Sequence, residues 1–126
     1  MKRLDVLNRV KQRKKQMGLT IDNISKLSNL GNRTVTRFFS GEDIKLSTLE
    51  KITDIMGLDF AGNEVEDIAT IKEKRATQKA LYIVSLVQDT STLEMQGLDS
   101  EKLELLIKDT KEQFLNGKYQ KNLWAN

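Results

Sequence analysis

Residues 19–41 read LTIDNISKLSNLGNRTVTRFFSG, two short helical patterns joined by a turn signal. Thr20 suits a helix N-cap, and Ile24 and Leu27 follow it at the spacing of one helical face. Asn29 tolerates the left-handed backbone of a tight turn. A further helix opens after Gly31, keeps Val35 and Phe38 as its buried positions, and closes near Ser40–Gly41. The pair shares a core of Ile24, Leu27, Leu30, Val35 and Phe38. Asn32, Arg33, Thr34, Thr36 and Arg37 then project from the first two turns of the second member. Those groups suit the edges of base pairs, because Asn pairs bidentately with adenine and Arg with guanine. Asn32, Arg33, Thr36 and Arg37 are therefore candidate base readers. Hydroxyls at helix starts more often hold phosphates, which is the reading for Thr20 and Thr34.

Outward from this stretch the pattern stays helical. A first helix over Arg3–Met17 carries Leu4, Leu7, Val10, Lys14 and Met17 on one face, and Gly18 stops it. Its cations Lys11, Arg13, Lys14 and Lys15 read as a solvated face, the alternative being that they flank a nucleic-acid backbone. Downstream, Ser47-Thr48-Leu49-Glu50 has the form of a capping box with Ser47 as N-cap, starting a helix through Leu49, Ile52, Ile55 and Met56 to Gly57. Leu58 to Asn63 reads as a connection, after which Glu64, Glu66 and Asp67 load acid into a new first turn. From Ile68 to Gln96 the sequence predicts one long helix or two shorter ones, apolar nearly all round: Ala76, Ala80, Ile83, Val84 and Val87 keep a face, and Leu81, Tyr82 and Leu86 surround it. Gly97 ends it. Asp99 or Ser100 caps a last helix with Leu103, Leu106, Ile107, Thr110 and Phe114, closed by Asn116–Gly117, and the tail holds Tyr119, Leu123 and Trp124. The class is all-α, with an N-terminal domain over 1–60 and a helical C-terminal domain over 61–126.

Composition sets the limits on function. With no cysteine and no histidine among 126 residues, thiolate chemistry, disulfides and the commonest general base and metal ligand are excluded. Carboxylates such as Glu94, Asp99, Glu101 and Glu104 remain, but they sit where helix caps and solvated faces belong, and no glycine-rich phosphate loop exists. The expectation is a protein that is not an enzyme and carries neither cofactor nor metal. No apolar run approaches a membrane span and no secretory leader pattern opens the chain, so a cytoplasmic location is expected. Net charge is only +3, yet the first 41 residues hold ten Lys/Arg against Asp5 and Asp22. Such a footprint suggests a polyanionic partner, with nucleic acid foremost.

On these residues the first half resembles the helix-turn-helix regulators of the xenobiotic-response-element type, the family of the phage lambda repressor and Cro. The likeness covers roughly Leu7 to Phe60 and lies in Leu19-Thr20, Ser25, Asn29, Leu30, Gly31 and Gly41. It implies a lambda-repressor-like helical domain whose recognition helix is about Asn32 to Phe39, with Asn32, Arg33, Thr36 and Arg37 reading bases and Ser40 and Lys45 holding phosphates. Three positions depart from the pattern: Ser25 replaces the usual Ala, Asn29 the usual Gly, and Ile21 a Gln that often clamps a phosphate. The function implied is a sequence-specific transcriptional regulator, a repressor occupying operator or promoter DNA.

One small module offers too little surface for tight specific binding, so a homodimer is expected. The acidic, apolar-rich second half would supply it through Ala80, Ile83, Val84 and Val87, with Leu103 to Phe114 as a further candidate. The alternative packing keeps those helices on the first domain alone. An antitoxin-like module, binding a protein partner through the C-terminal helices and repressing its own promoter, is the second functional reading. Tyr82, Tyr119 and Trp124 read as core or interface.

Overall fold

A computed structural model describes the backbone of residues 3–93 and 100–125 and the side chains of 5–86 and 100–125. The described residues form α1 (Arg3–Met17), α2 (Ile21–Ser28), α3 (Asn32–Phe39), α4 (Leu46–Ile55), α5 (Ile68–Leu93) and α6 (Ser100–Asn116), followed by a single 3-10 turn at Gln120–Asn122. Among them there is no strand, only one antiparallel bridge between Leu58 and Glu64. The chain falls into two compact units, one up to Ile71 and the other from Lys72 to Ala125.

In the first unit, Val6, Leu7, Val10 and Met17 of α1, Ile24 of α2, Val35 and Phe38 of α3, and Ile52 and Met56 of α4 form the buried core. The expected helix starts hold for α2, where Thr20 accepts from the Asn23 amide at 3.0 Å and Asn23 reciprocates from its side chain. The capping box expected at Ser47 does not form. α4 begins two residues earlier, at Leu46, with Lys45 as N-cap and no side-chain cap bond, because the Lys45 carbonyl already accepts from the amides of Thr48 and Leu49. Leu27 and Leu30, expected in the joint core, are half-buried at its rim.

Residues 57–66 pack onto α1. Gly57 has φ +68, and a Cβ there would stand 2.6 Å from the Ile71 side chain and 2.8 Å from the Glu66 carbonyl oxygen, so this turn admits glycine alone. Glu64 and Glu66 do not enter the following helix, as their sequence position suggests. α5 begins at Ile68 behind Asp67, whose carboxylate accepts from the Thr70 amide at 2.7 Å. Arg13 draws the two glutamates away. Read from the sequence as part of a solvated face, Arg13 is only 6% exposed; it donates to the Met56 carbonyl, to the Glu64 carboxylate and to the Glu66 carbonyl. The reason is register, since Arg13 falls on the same buried stripe as Val10 and Met17. Lys11 and Lys15 are exposed as expected.

In the second unit α5 runs as one helix, with Ala76, Ala80 and Val84 buried and Ile83 half-buried. Tyr82 is 66% exposed, and Leu81 and Leu86 stand beside it, about half exposed. α6 packs on α5 through buried Phe114, over which Lys79 is placed, and through a Lys111–Glu73 ion pair of 2.9 Å. Leu123 and Trp124 of the tail are buried, while Tyr119 stays partly exposed. Arg75 fixes the tail by donating to the carbonyls of Leu123 and Ala125. The side chains of Leu4 and Val87, and residues Glu94, Gln96, Gly97 and Asp99, which the sequence reading also uses, lie outside the described residues.

Candidate nucleic-acid interface

The turn between α2 and α3 is set by Asn29, at φ 58, the only described non-glycine residue with positive φ. An amide side chain tolerates this left-handed geometry better than an apolar one does. Ser25, where a small residue was expected, donates its hydroxyl to the Leu30 carbonyl and so ties α2 to the turn itself. The Leu30 amide returns a bond to the Ser25 carbonyl at 3.0 Å. These contacts, with Ile24, Val35 and Phe38 behind them, fix the angle at which α3 leaves the turn.

α3 is two-faced. Val35 and Phe38 are buried on one side; Asn32, Arg33, Thr36 and Arg37 are exposed on the other, an arc of about 140° at 100° per residue. The first turn holds no acidic residue, and no side chain caps it, since Gly31 is the N-cap. Arg33 and Arg37 stand four residues apart with no carboxylate partner among the described residues. Like charges at that spacing repel by a few tenths of a kcal/mol, a cost that a polyanion would turn into a gain.

The candidate phosphate residues are placed differently from one another. Thr20 is exposed at the start of α2; its oxygen accepts from Asn23, which leaves the hydroxyl hydrogen to donate outward. Thr34 is half-buried in the first turn of α3. Ser40 is exposed at the other end, and its hydroxyl donates to the Thr36 carbonyl at 2.9 Å, so only its lone pairs point away from the helix. Lys45 is exposed at the start of α4.

The basic footprint is smaller than the sequence count suggests. Arg13 is spent inside the fold, Arg9 donates to the Asn63 side chain at 2.6 Å, and Lys26 pairs with Asp22 at 3.1 Å. Lys14 is half-buried with its ammonium 5.9 Å from the centroid of the Phe39 ring, which itself meets Phe38 edge-on at 5.0 Å. This link from α1 to the end of α3 escaped sequence reasoning, although Lys14 shares the inner face of α1 with Val10 and Met17. What remains exposed and without a carboxylate partner includes Lys11, Lys15, Arg33 and Arg37.

No helix among the described residues is long and apolar enough to cross a membrane. No curated protein and no solved structure matches the chain. A helix-turn-helix family model does match, at residues 10–63, which span α2, the Asn29 turn and α3. The match supports a helix-turn-helix DNA-binding domain over that segment and a role of the transcription-regulator type.

Proposed function

We propose that the protein is a sequence-specific repressor of the xenobiotic-response-element type, acting as a homodimer that occupies operator DNA. The observation that carries this reading is the exposed arc of Asn32, Arg33, Thr36 and Arg37, unneutralised and opposite the buried Val35 and Phe38. Asn32, Arg33, Thr36 and Arg37 read base edges in the major groove. Thr20, Thr34, Ser40 and Lys45 hold the flanking phosphates; Ser40 does so by first releasing the Thr36 carbonyl.

The dimer belongs to the second unit. Ala80 and Val84, assigned to it from the sequence, are buried within the chain, and Ile83 is half-buried. The surface of α5 available to a second protomer is instead Leu81, Tyr82 and Leu86. The test is a titration of the full chain against its own upstream DNA and a scrambled duplex at two salt concentrations, with light scattering on the same sample. Sequence-preferring binding by a dimer supports the reading. Weak, salt-labile binding without preference overturns it, and co-purification of a second protein on the C-terminal helices favours the antitoxin-like alternative.

A further inference from the structure

The second unit holds a group of cations that the regulator reading does not use. Arg75 and Lys79 lie four residues apart on α5, hence on one side of it. The Arg75 guanidinium is committed to the chain's tail, donating to the Leu123 carbonyl at 3.0 Å and to the Ala125 carbonyl at 2.8 Å. The Lys79 ammonium lies 5.7 Å from the centroid of the Phe114 ring. Phe114 stands 5.3 Å from the ring of Tyr119, and the Lys118 ammonium lies 5.0 Å from that second ring. Two lysines are thus seated on one pair of touching aromatic rings.

Their charges are not balanced. Among the described residues no carboxylate pairs with Arg75, Lys79 or Lys118. Two acids on the same helices are engaged elsewhere: Glu73 binds Lys111, and Glu112 accepts from the Asn116 side chain. Burial, and after it the positive charge of Arg75, holds the Lys79 amine below the usual lysine range. Ring faces relieve a cation in part but do not neutralise it. Lys79 therefore carries an electrostatic cost in the free protein, which a bound anion would reduce.

We propose that Lys79 and Lys118, on the Phe114–Tyr119 ring pair, form a binding site for a phosphoryl oxyanion. A carboxylate is best held by the flat fork of an arginine, and here the fork of Arg75 is already spent on backbone carbonyls. Two ammonium groups, each a compact charge with three donors, match instead the several oxygens and the nearly double charge of a phosphate. Such a group could arrive as free phosphate or as a small phosphate ester. Either would make the second unit a sensor as well as an assembly element.

The site has its own reporter, because Trp124 is the chain's single tryptophan and lies between the two residues whose carbonyls Arg75 holds. The experiment titrates the full chain with inorganic phosphate, pyrophosphate and AMP at constant ionic strength, chloride being the control. A saturable change in Trp124 emission is expected, with the dissociation constant rising about tenfold in Lys79→Met and again in Lys118→Met, one charge–phosphate contact being lost each time. Tighter binding of AMP than of inorganic phosphate identifies an ester as the source, and the reverse order identifies the free ion. No saturable response, a response that chloride reproduces, or one that persists in the double variant overturns the site. Lys118 is exposed, so Lys118→Met keeps the fold and the test stands on it alone should Lys79→Met misfold. No DNA enters the measurement, and its outcome is separate from that of the operator titration.

Discussion

Arg13 donates its Nε–H to the Met56 carbonyl oxygen at 2.8 Å, joining the middle of α1 to the end of α4 across 43 positions of sequence. The same guanidinium serves Glu64 and the Glu66 carbonyl, so one side chain satisfies three acceptors. Arg13→Ala leaves two backbone carbonyls without this donor and opens a cavity beside the core. A loss of about 2–4 kcal/mol in urea unfolding is expected. Lys11→Ala and Lys15→Ala, on the exposed side, should stay within about 0.5 kcal/mol. Equal effects at the three positions would refute the clamp.

The exposed arc of α3 makes a graded prediction if it reads bases as proposed. Arg33→Ala should relax preference at one base position of the operator at a cost of about 1–3 kcal/mol, whereas Ser40→Ala should weaken all sequences about equally. Binding-site selection with each variant distinguishes the two. An unchanged site preference when Asn32, Arg33 and Arg37 are all Ala would remove the base-reading assignment.

Asn29 holds the turn at φ 58. Asn29→Ala should destabilise the protein by about 1 kcal/mol through the left-handed strain alone, while Asn29→Gly should be close to neutral. Denaturant midpoints of the two variants measure the difference. If alanine is tolerated as well as glycine, the turn is not what limits this segment.

Acid sensitivity follows from two loop carboxylates. Hydrogen bonds from Thr70 hold Asp67 below the usual carboxylate range, and backbone amides, that of Asn63 foremost, do the same for Asp59. A carboxyl depressed in the folded state binds fewer protons there than in the unfolded chain. Its contribution is therefore full above the unfolded value of about 4 and is lost as pH falls through the lower folded value. Stability should stay level from neutral pH to about 5 and decline below about 4, there being no histidine to titrate between. Asp67→Asn, which still caps α5, should make the decline shallower in a pH series of thermal melts.

Lys79 costs stability at neutral pH, where the two aspartates add it. Its amine is depressed by burial and by Arg75, so the charged form opposes folding until pH rises towards the unfolded lysine value. Lys79→Met keeps a stem against Phe114 and should raise the melting temperature at neutral pH. A fall would mean that the contact of ammonium and ring outweighs the charge cost.

The sequence carried the helical order well because its signals were local. Thr20 with Asn23, Asn29 at the turn, and the spacing of Ile24, Val35 and Phe38 each depend on neighbours within a few residues, and the exposure of Asn32, Arg33, Thr36 and Arg37 follows from the same spacing. Where the sequence misled, the deciding partner was far along the chain. Arg13 looks like any cation in a basic helix until Met56 and Glu66 are folded beside it. Glu64 looks like a helix-start acid until Arg13 claims it. Ser47 and Glu50 have the spacing of a cap, but Lys45 already closes that end of α4 through its backbone.

The clamp at Arg13 also sets an order of events during synthesis. α1 leaves the ribosome well before its partners, and the last of the groups that make its buried guanidinium tolerable is more than fifty residues behind. Until Glu66 has emerged, α3 can form locally but the unit that holds it cannot close, and a gene fragment ending before that residue would encode the helices without their frame.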